Sequence, residues 1–186
     1  VVTADASLIG AWTAQDTQVP VSADDPAGIA RVRARLVPPP APESDETTAE
    51  VGTETGWTTA ETGEDGSYLL PVTLGAQDGP ITAEVQAEDQ SGLVSTLRIP
   101  FFVDRDAPSV DRLTPPEGAS VNGTVSVIAR LTEPATTTSV TAVVGDQRNE
   151  LPVAETVMVT FAATDALNQV TFELTDRAGN RGTETI

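Results

Sequence analysis

Carboxylates are the side chains in this sequence that could do chemistry. Asp and Glu number 28 against 10 basic residues, and His and Cys are absent. Every basic residue is Arg, so Lys is absent too. These zeros remove the Cys or Lys nucleophile, the His general base, the Schiff base and the Zn2+ site built from Cys and His. Two chemistries remain open to carboxylate oxygens. Paired across a glycosidic bond, they act as acid and base. Gathered with backbone carbonyls, they hold Ca2+, which takes about six to eight oxygen ligands. The carboxylates at issue are Asp78, Asp104, Asp106, Glu133 and Asp176, all in stretches that read as turns or linkers. A turn has its own use for such a group. The first Asp of D-x-x-G accepts backbone N–H groups as an Asx turn, and Gly supplies the positive φ. That accounts for Asp25, Asp89 and Asp176 without a metal.

The net charge of the chain is −18. Phosphate binding needs neutralisation by Lys or Arg, so nucleic acid is excluded as a partner. Docking on an anionic membrane is excluded on the same ground. Apolar runs extend only a few residues, so no segment reads as a membrane-spanning helix. Hydrophobic residues make up 39% and aromatics 4% of the chain, which suits small cores rather than one large one. Val1-Val2-Thr3 opens no charged leader, and there is no initiator Met. The expected reading is a mature or excised segment of a longer protein.

The elements that position the carboxylates emerge when the chain is laid on itself. Pro71–Ile99 aligns without a gap on Met158–Ile186. Identical pairs include Val72/Val159, Thr73/Thr160, Asp78/Asp165, Asp89/Asp176, Gly92/Gly179 and Ile99/Ile186. Earlier in each half, Val19-x-Val21-x-Ala23 resembles Val125-x-Val127-x-Ala129, and Val32-x-Ala34-x-Leu36 resembles Val140-x-Ala142-x-Val144. The first half carries an extra Pro-rich and acidic stretch at about 38–66.

Period-two alternation predicts strands near 18–24, 29–37, 67–74, 80–88 and 93–103, a weaker one near 6–13, and a short one by Trp57. In the second half it predicts strands near 109–113, 123–132, 138–145, 156–163, 168–175 and 181–186. About seven short strands per unit, with turns between them, is the pattern of a β-sandwich. The expected fold is all-β, with two tandem antiparallel sandwiches. The first covers 1–105 with the insertion at about 38–66. The second covers 106–186 and ends inside or at the edge of its last strand, so that a further domain is expected to follow. Trp12, Trp57, Tyr68, Phe101, Phe102, Phe161 and Phe172 are the large core candidates. Trp57 is also the first suspect for an aromatic platform that stacks on sugar.

Val85-Gln86-Ala87-Glu88-Asp89-Gln90-Ser91-Gly92, with Val103-Asp104-Arg105-Asp106-Ala107-Pro108, resembles the tandem Ig-like repeats of bacterial and archaeal surface proteins. Such repeats end in a D-x-x-G-N turn and a V-D-x-x-A-P linker. Asp176-Arg177-Ala178-Gly179-Asn180 is the fuller turn, and the first unit departs from it at Leu93. The resemblance implies an Ig-like sandwich in each unit and is silent about ligand, since the fold hosts many functions.

In that fold the loops of Glu133 and Asp176 share the end of the second unit that faces the linker, and Asp78 would approach from the first unit. Five carboxylates would then converge on the junction with Asp104 and Asp106, where Ca2+ would neutralise their repulsion and stiffen the joint. No other cofactor is expected. The expected function is a non-catalytic spacer within a secreted, cell-surface or periplasmic protein, its partners being neighbouring domains of a longer chain. The alternatives are a module binding protein or glycan, such as an adhesin or an envelope-assembly subunit, and an accessory domain of a secreted hydrolase. Asn122-Gly123-Thr124 is a sequon that matters only in a glycosylating host.

Overall fold

The computed structural model describes residues 1–37, 56–62, 67–75, 78–116 and 118–186. Most of the 38–66 insertion therefore lies outside the described residues. The chain divides into two compact units, Val1–Asp104 and Arg105–Ile186. Unit one contains β1 (Val2–Ala4), a 3-10 turn (Ala6–Leu8), β2 (Trp12–Thr13), β3 (Thr17–Ala23), β4 (Ile29–Val37), β5 (Thr58–Thr59), β6 (Glu61–Thr62), β7 (Ser67–Val72), β8 (Gly79–Asp89) and β9 (Val94–Val103). Unit two contains β10 (Val110–Thr114), β11 (Thr124–Leu131), β12 (Thr137–Val144), β13 (Gln147–Leu151), β14 (Thr156–Ala162), β15 (Thr171–Asp176) and β16 (Arg181–Thr185).

Each unit is a sandwich of two sheets. Unit one pairs its strands in the orders β1-β3-β7-β6 and β2-β9-β8-β4-β5. Unit two has β10-β11-β14 and β13-β12-β15-β16. Neighbouring strands are antiparallel except β2 and β9, which run parallel through Trp12↔Phe102 and Thr13↔Val103. The aligned halves agree in register as well as in order. Ala34 faces Val85 in unit one, and the matching residues Ala142 and Phe172 face each other in unit two. Both ladders also shift register at the matching place, between Ile29 and Arg31 and between Thr137 and Ser139.

The alternation that predicts the strands also fills the cores. On β8, Ala83, Val85 and Ala87 are buried in unit one's core with Val19, Val21, Leu70, Ile99 and Phe101. Unit two has a separate core around Phe172, Leu174, Val140, Val159 and Val170. Each fully buried large side chain stabilises its unit by about 1.5–3 kcal/mol.

Three expectations need correction. The weak strand near 6–13 is a 3-10 turn followed by the two residues of β2. The Asp5 carboxylate accepts from Ser7 N at 2.8 Å and holds that turn, as an N-terminal cap does. The β13 strand was not predicted, because Gln147-Arg148-Asn149-Glu150-Leu151 has no apolar alternation. Its signal was the two-residue Gly145-Asp146 connection with Gly145 at φ 58, a hairpin turn that needs a left-handed residue. Last, Trp12, Trp57 and Phe102 are not core residues. Phe101 and Phe172 are buried, and Tyr68 and Phe161 pack against the cores.

Candidate functional site

The five predicted carboxylates divide between the units. Asp78 and Asp104 belong to unit one; Asp106, Glu133 and Asp176 belong to unit two. In unit one the β8–β9 ladder closes on Gly79↔Val103, so Asp78 and Asp104 are the next residues at that end of the hairpin. The Asp104 amide also donates to Thr13 O at 3.0 Å.

In unit two, the turns of Glu133 and Asp176 meet. Arg177 N donates to Thr136 O at 3.0 Å, joining the β15–β16 turn to the β11–β12 turn. The entering chain reaches the same end, where Ser109 N donates to Thr132 Oγ1 at 3.2 Å. Asp176 is only 3% exposed. Its Oδ1 accepts from Asn180 N at 2.8 Å and its Oδ2 from Asn180 Nδ2 at 2.9 Å. The carbonyl of Glu133 accepts from Thr137 Oγ1 at 2.7 Å, and Thr136 Oγ1 donates to its Oε2 at 3.4 Å. Among the described residues of either unit, no three acidic side chains gather as a metal would require.

In the matching turn of unit one the Asp89 carboxylate accepts from two main-chain amides. Asp89 Oδ1 accepts from Ser91 N at 2.7 Å and Leu93 N at 2.9 Å, while the side chain of Leu93 is 72% exposed. Leu93→Asn is therefore expected to add the side-chain bond that Asn180 makes, and to raise unit one's stability by about 1 kcal/mol. Urea denaturation followed by Trp fluorescence measures it, because both Trp residues lie in unit one.

A second constellation, which sequence reasoning missed, covers the outward face of the five-stranded sheet in unit one. Residues opposite the buried set on β4, β8 and β9 point there: Arg31, Arg33 and Arg35, then Glu84, Gln86 and Glu88, then Arg98 and Phe102. Register sets them in rungs, Arg31↔Glu88, Arg33↔Gln86 and Arg35↔Glu84↔Arg98. Arg31 Nη2 reaches Glu88 Oε2 at 2.6 Å. Arg33 donates to Gln86 Oε1 from Nη2 at 3.0 Å and from Nε at 3.3 Å. Glu84 is 3% exposed and held on both oxygens. Arg35 donates to Oε1 from Nε at 3.1 Å and Nη2 at 2.8 Å, and Arg98 to Oε2 from Nε at 3.0 Å and Nη2 at 2.9 Å. Burial pushes the Glu84 carboxyl up. The hydrogen bonds from Arg98 and Arg35, with their positive charge, outweigh that and hold it below the ordinary glutamate value.

Trp57 lies over two of these guanidiniums, with Arg33 Cζ 4.5 Å and Arg35 Cζ 4.7 Å from the ring centroid. Such cation–π contacts add about 0.5–1 kcal/mol each at exposed sites. Trp12 stacks on Phe102 with centroids 4.8 Å apart and planes at 16°. Both aromatic groups thus flank a flat polar face that offers hydrogen-bond donors and acceptors. The signal available in sequence was Arg31-x-Arg33-x-Arg35 against Glu84-x-Gln86-x-Glu88, two strands with complementary charge at period two. The Asn122 sequon is exposed, just before β11.

No family model matches the sequence, and no curated protein matches it. Among solved structures, the chain is similar to the fibronectin(III)-like modules of Clostridium thermocellum CbhA. The TM-score is 0.52 and the identity 12%, over 100% of this chain and 91% of that one. At that identity the likeness shows the fold, an all-β sandwich architecture. Weaker likenesses are to a tetra-tandem repeat in the extending region of a large adhesion protein, and to the Bacteroides ovatus mixed-linkage glucan utilization locus protein SGBP-B, solved in complex with a mixed-linkage heptasaccharide. The first has TM-score 0.35 and 19% identity over 100% of this chain and 47% of that one. The second has TM-score 0.30 and 13% identity over 99% and 44%.

Proposed function

We propose that the chain is a non-catalytic spacer, a pair of sandwich modules in a secreted or cell-surface protein that transmits force and holds its neighbours apart. The observation that carries this is the parallel pairing of β2, near the start of unit one, with β9, at its end. Gly10 N donates to Pro100 O at 2.7 Å, Phe102 N to Ala11 O at 2.8 Å and Asp104 N to Thr13 O at 3.0 Å, with Trp12 stacked on Phe102 over them. Pulling the two ends of the unit apart loads these bonds together, in shear, rather than one at a time. In unit two the first strand, β10, pairs with β11 instead of the last strand. Pulling single molecules by their ends tests the proposal, with unit one expected to yield at the higher force.

The outward aromatics favour a second reading, a module that binds glycan on the unit-one sheet face. Trp57→Ala is expected to abolish retention of the protein on any polysaccharide that retains the wild type. A polysaccharide screen that retains neither protein removes this reading.

Ca2+ at the junction, through Asp78, Asp104, Asp106, Glu133 and Asp176, belongs to the spacer proposal. Millimolar Ca2+ is then expected to raise the melting temperature and to narrow the spread of particle dimensions in small-angle scattering. No change in either removes the cation from the account.

A further inference from the structure

The Asn122-Gly123-Thr124 motif has no part in the spacer role. The chain has four Asn residues, and Asn122 alone is followed by Gly. The structure treats it unlike the other three. Asn180 Nδ2 donates to Asp176 Oδ2 at 2.9 Å. Asn168 Nδ2 donates to Ala166 O at 2.9 Å and to Thr164 O at 3.2 Å, and its Oδ1 accepts from Thr164 N at 3.0 Å. Asn149 lies within β13, paired with Ala142. Asn122 is exposed, just before β11. Among the described residues, no hydrogen bond holds its side chain or the Gly123 N–H. The bond that extends the β11–β14 ladder to this point runs the other way, from Ala163 N to Gly123 O at 2.8 Å. Gly123 stands at φ 65, and a Cβ there would meet nothing within 4 Å.

We propose that Asn122 is a self-modification site, where the chain converts its own side-chain amide to a carboxylate. Gly123 N, deprotonated by hydroxide, attacks Asn122 Cγ. The new N–Cγ bond closes a succinimide ring as the Cγ–Nδ2 bond breaks, and Nδ2 leaves as ammonia with a proton taken from water. Water then opens the imide at either carbonyl carbon. Cleavage at Cγ leaves an ordinary aspartyl residue, and cleavage at the main-chain carbonyl carbon leaves an isoaspartyl link. No oxidant or reductant takes part. The attack needs a nitrogen that is outside the hydrogen-bond ladder and unshielded by a side chain, and Gly meets the second condition because it lacks a Cβ. The product adds a carboxylate to a chain of net charge −18. Its isoaspartyl form lengthens the main chain by a methylene just before β11. It also removes the nitrogen that a glycan on this sequon would occupy.

The test incubates the full chain at mildly alkaline pH, folded and in urea, and maps its peptides by mass and isoaspartyl content. Asn122 is expected to lose its amide in the folded chain as fast as in urea, mostly to the isoaspartyl product. Asn149, Asn168 and Asn180 are expected to keep theirs while the chain is folded. The rate at Asn122 is expected to rise about tenfold per pH unit, as the deprotonated fraction of Gly123 N does. Gly123→Ala is expected to slow the loss roughly tenfold, because a methyl crowds the attacking nitrogen. The proposal is overturned if Asn122 keeps its amide in the folded chain while losing it in urea. It is also overturned if Gly123→Ala leaves the rate unchanged, or if the product is aspartyl alone, since direct hydrolysis then bypasses Gly123 N.

Discussion

Gly182→Ala is expected to destabilise unit two strongly while leaving unit one intact. A Cβ at this position would stand 1.7 Å from Pro108 O and 2.9 Å from Pro108 C. Both atoms are main chain, so no flexible side-chain end can swing away. Pro108 is itself fully buried. The next residue is tied down, since Thr132 N donates to Ser109 O at 3.0 Å. On the other side Gly182 is fixed by its pairing with Leu174 in the β15–β16 ladder. The added methyl must separate the entry segment from the sheet, at a cost of about 3 kcal/mol. Small domains have only about 5–15 kcal/mol to lose. The measurement is urea denaturation with two probes. Far-UV circular dichroism follows both units, and Trp fluorescence follows unit one alone. The expected result is a lower midpoint in the first probe's second-unit phase and no shift in the second. A variant as stable as wild type by both probes contradicts the close approach of β16 to Pro108.

The second large effect is expected at Glu84. Glu84→Gln keeps the shape but removes the charge on which Arg35 and Arg98 converge, with salt-bridge distances of 2.8 and 2.9 Å. Breaking a buried ionic network by removing one partner costs about 3–5 kcal/mol. Here about 3 kcal/mol is expected, because the Arg98 side chain is 72% exposed and water takes over part of its pairing. The pH dependence has a definite sign. The carboxyl is held below its ordinary value of 4.5 in the folded state, so its contribution is complete above that value. It is lost as pH falls through the lower folded value, where the folded carboxylate takes up its proton. Wild type and Glu84→Gln are therefore expected to differ most at neutral pH and to converge in acid. The other carboxylates titrate in both proteins and cancel in the difference. A constant gap from pH 7 to pH 3 contradicts the assignment.

The features legible in the sequence are those written locally. Val19-x-Val21 and Ala83-x-Val85-x-Ala87 mark which face of a strand is buried, because a period of two has only one way to fill a core. The repeat marks equivalent strands in the two halves, and in the structure matching residues pair with matching residues. Asp89 and Asp176 were legible as turn caps because an Asx turn closes within four residues. The unit-one face was not legible, because its rungs join residues about fifty positions apart, such as Arg33 and Gln86. No local pattern tells Arg31-x-Arg33-x-Arg35 which strand lies beside it. Trp12, Trp57 and Phe102 were misread for a related reason. An aromatic is assigned inward by hydrophobicity, yet Trp57 packs on the Arg33 and Arg35 guanidiniums and Trp12 on the Phe102 ring. Phe102 lies between buried Phe101 and Val103 and has nowhere to point but outward.

The proposed spacer role requires each sandwich to carry load, with unit one clamped by its parallel end strands. Constant-speed stretching of single molecules held at Val1 and Ile186 tests this most directly. The prediction is two separate unfolding events, each releasing roughly 30 nm of chain. The shorter release comes first and at lower force, from unit two. The longer comes second, from unit one, and its force drops when Phe102→Pro removes the N–H that reaches Ala11 O. A single event releasing the whole chain, or the longer release coming first at the lower force, contradicts it.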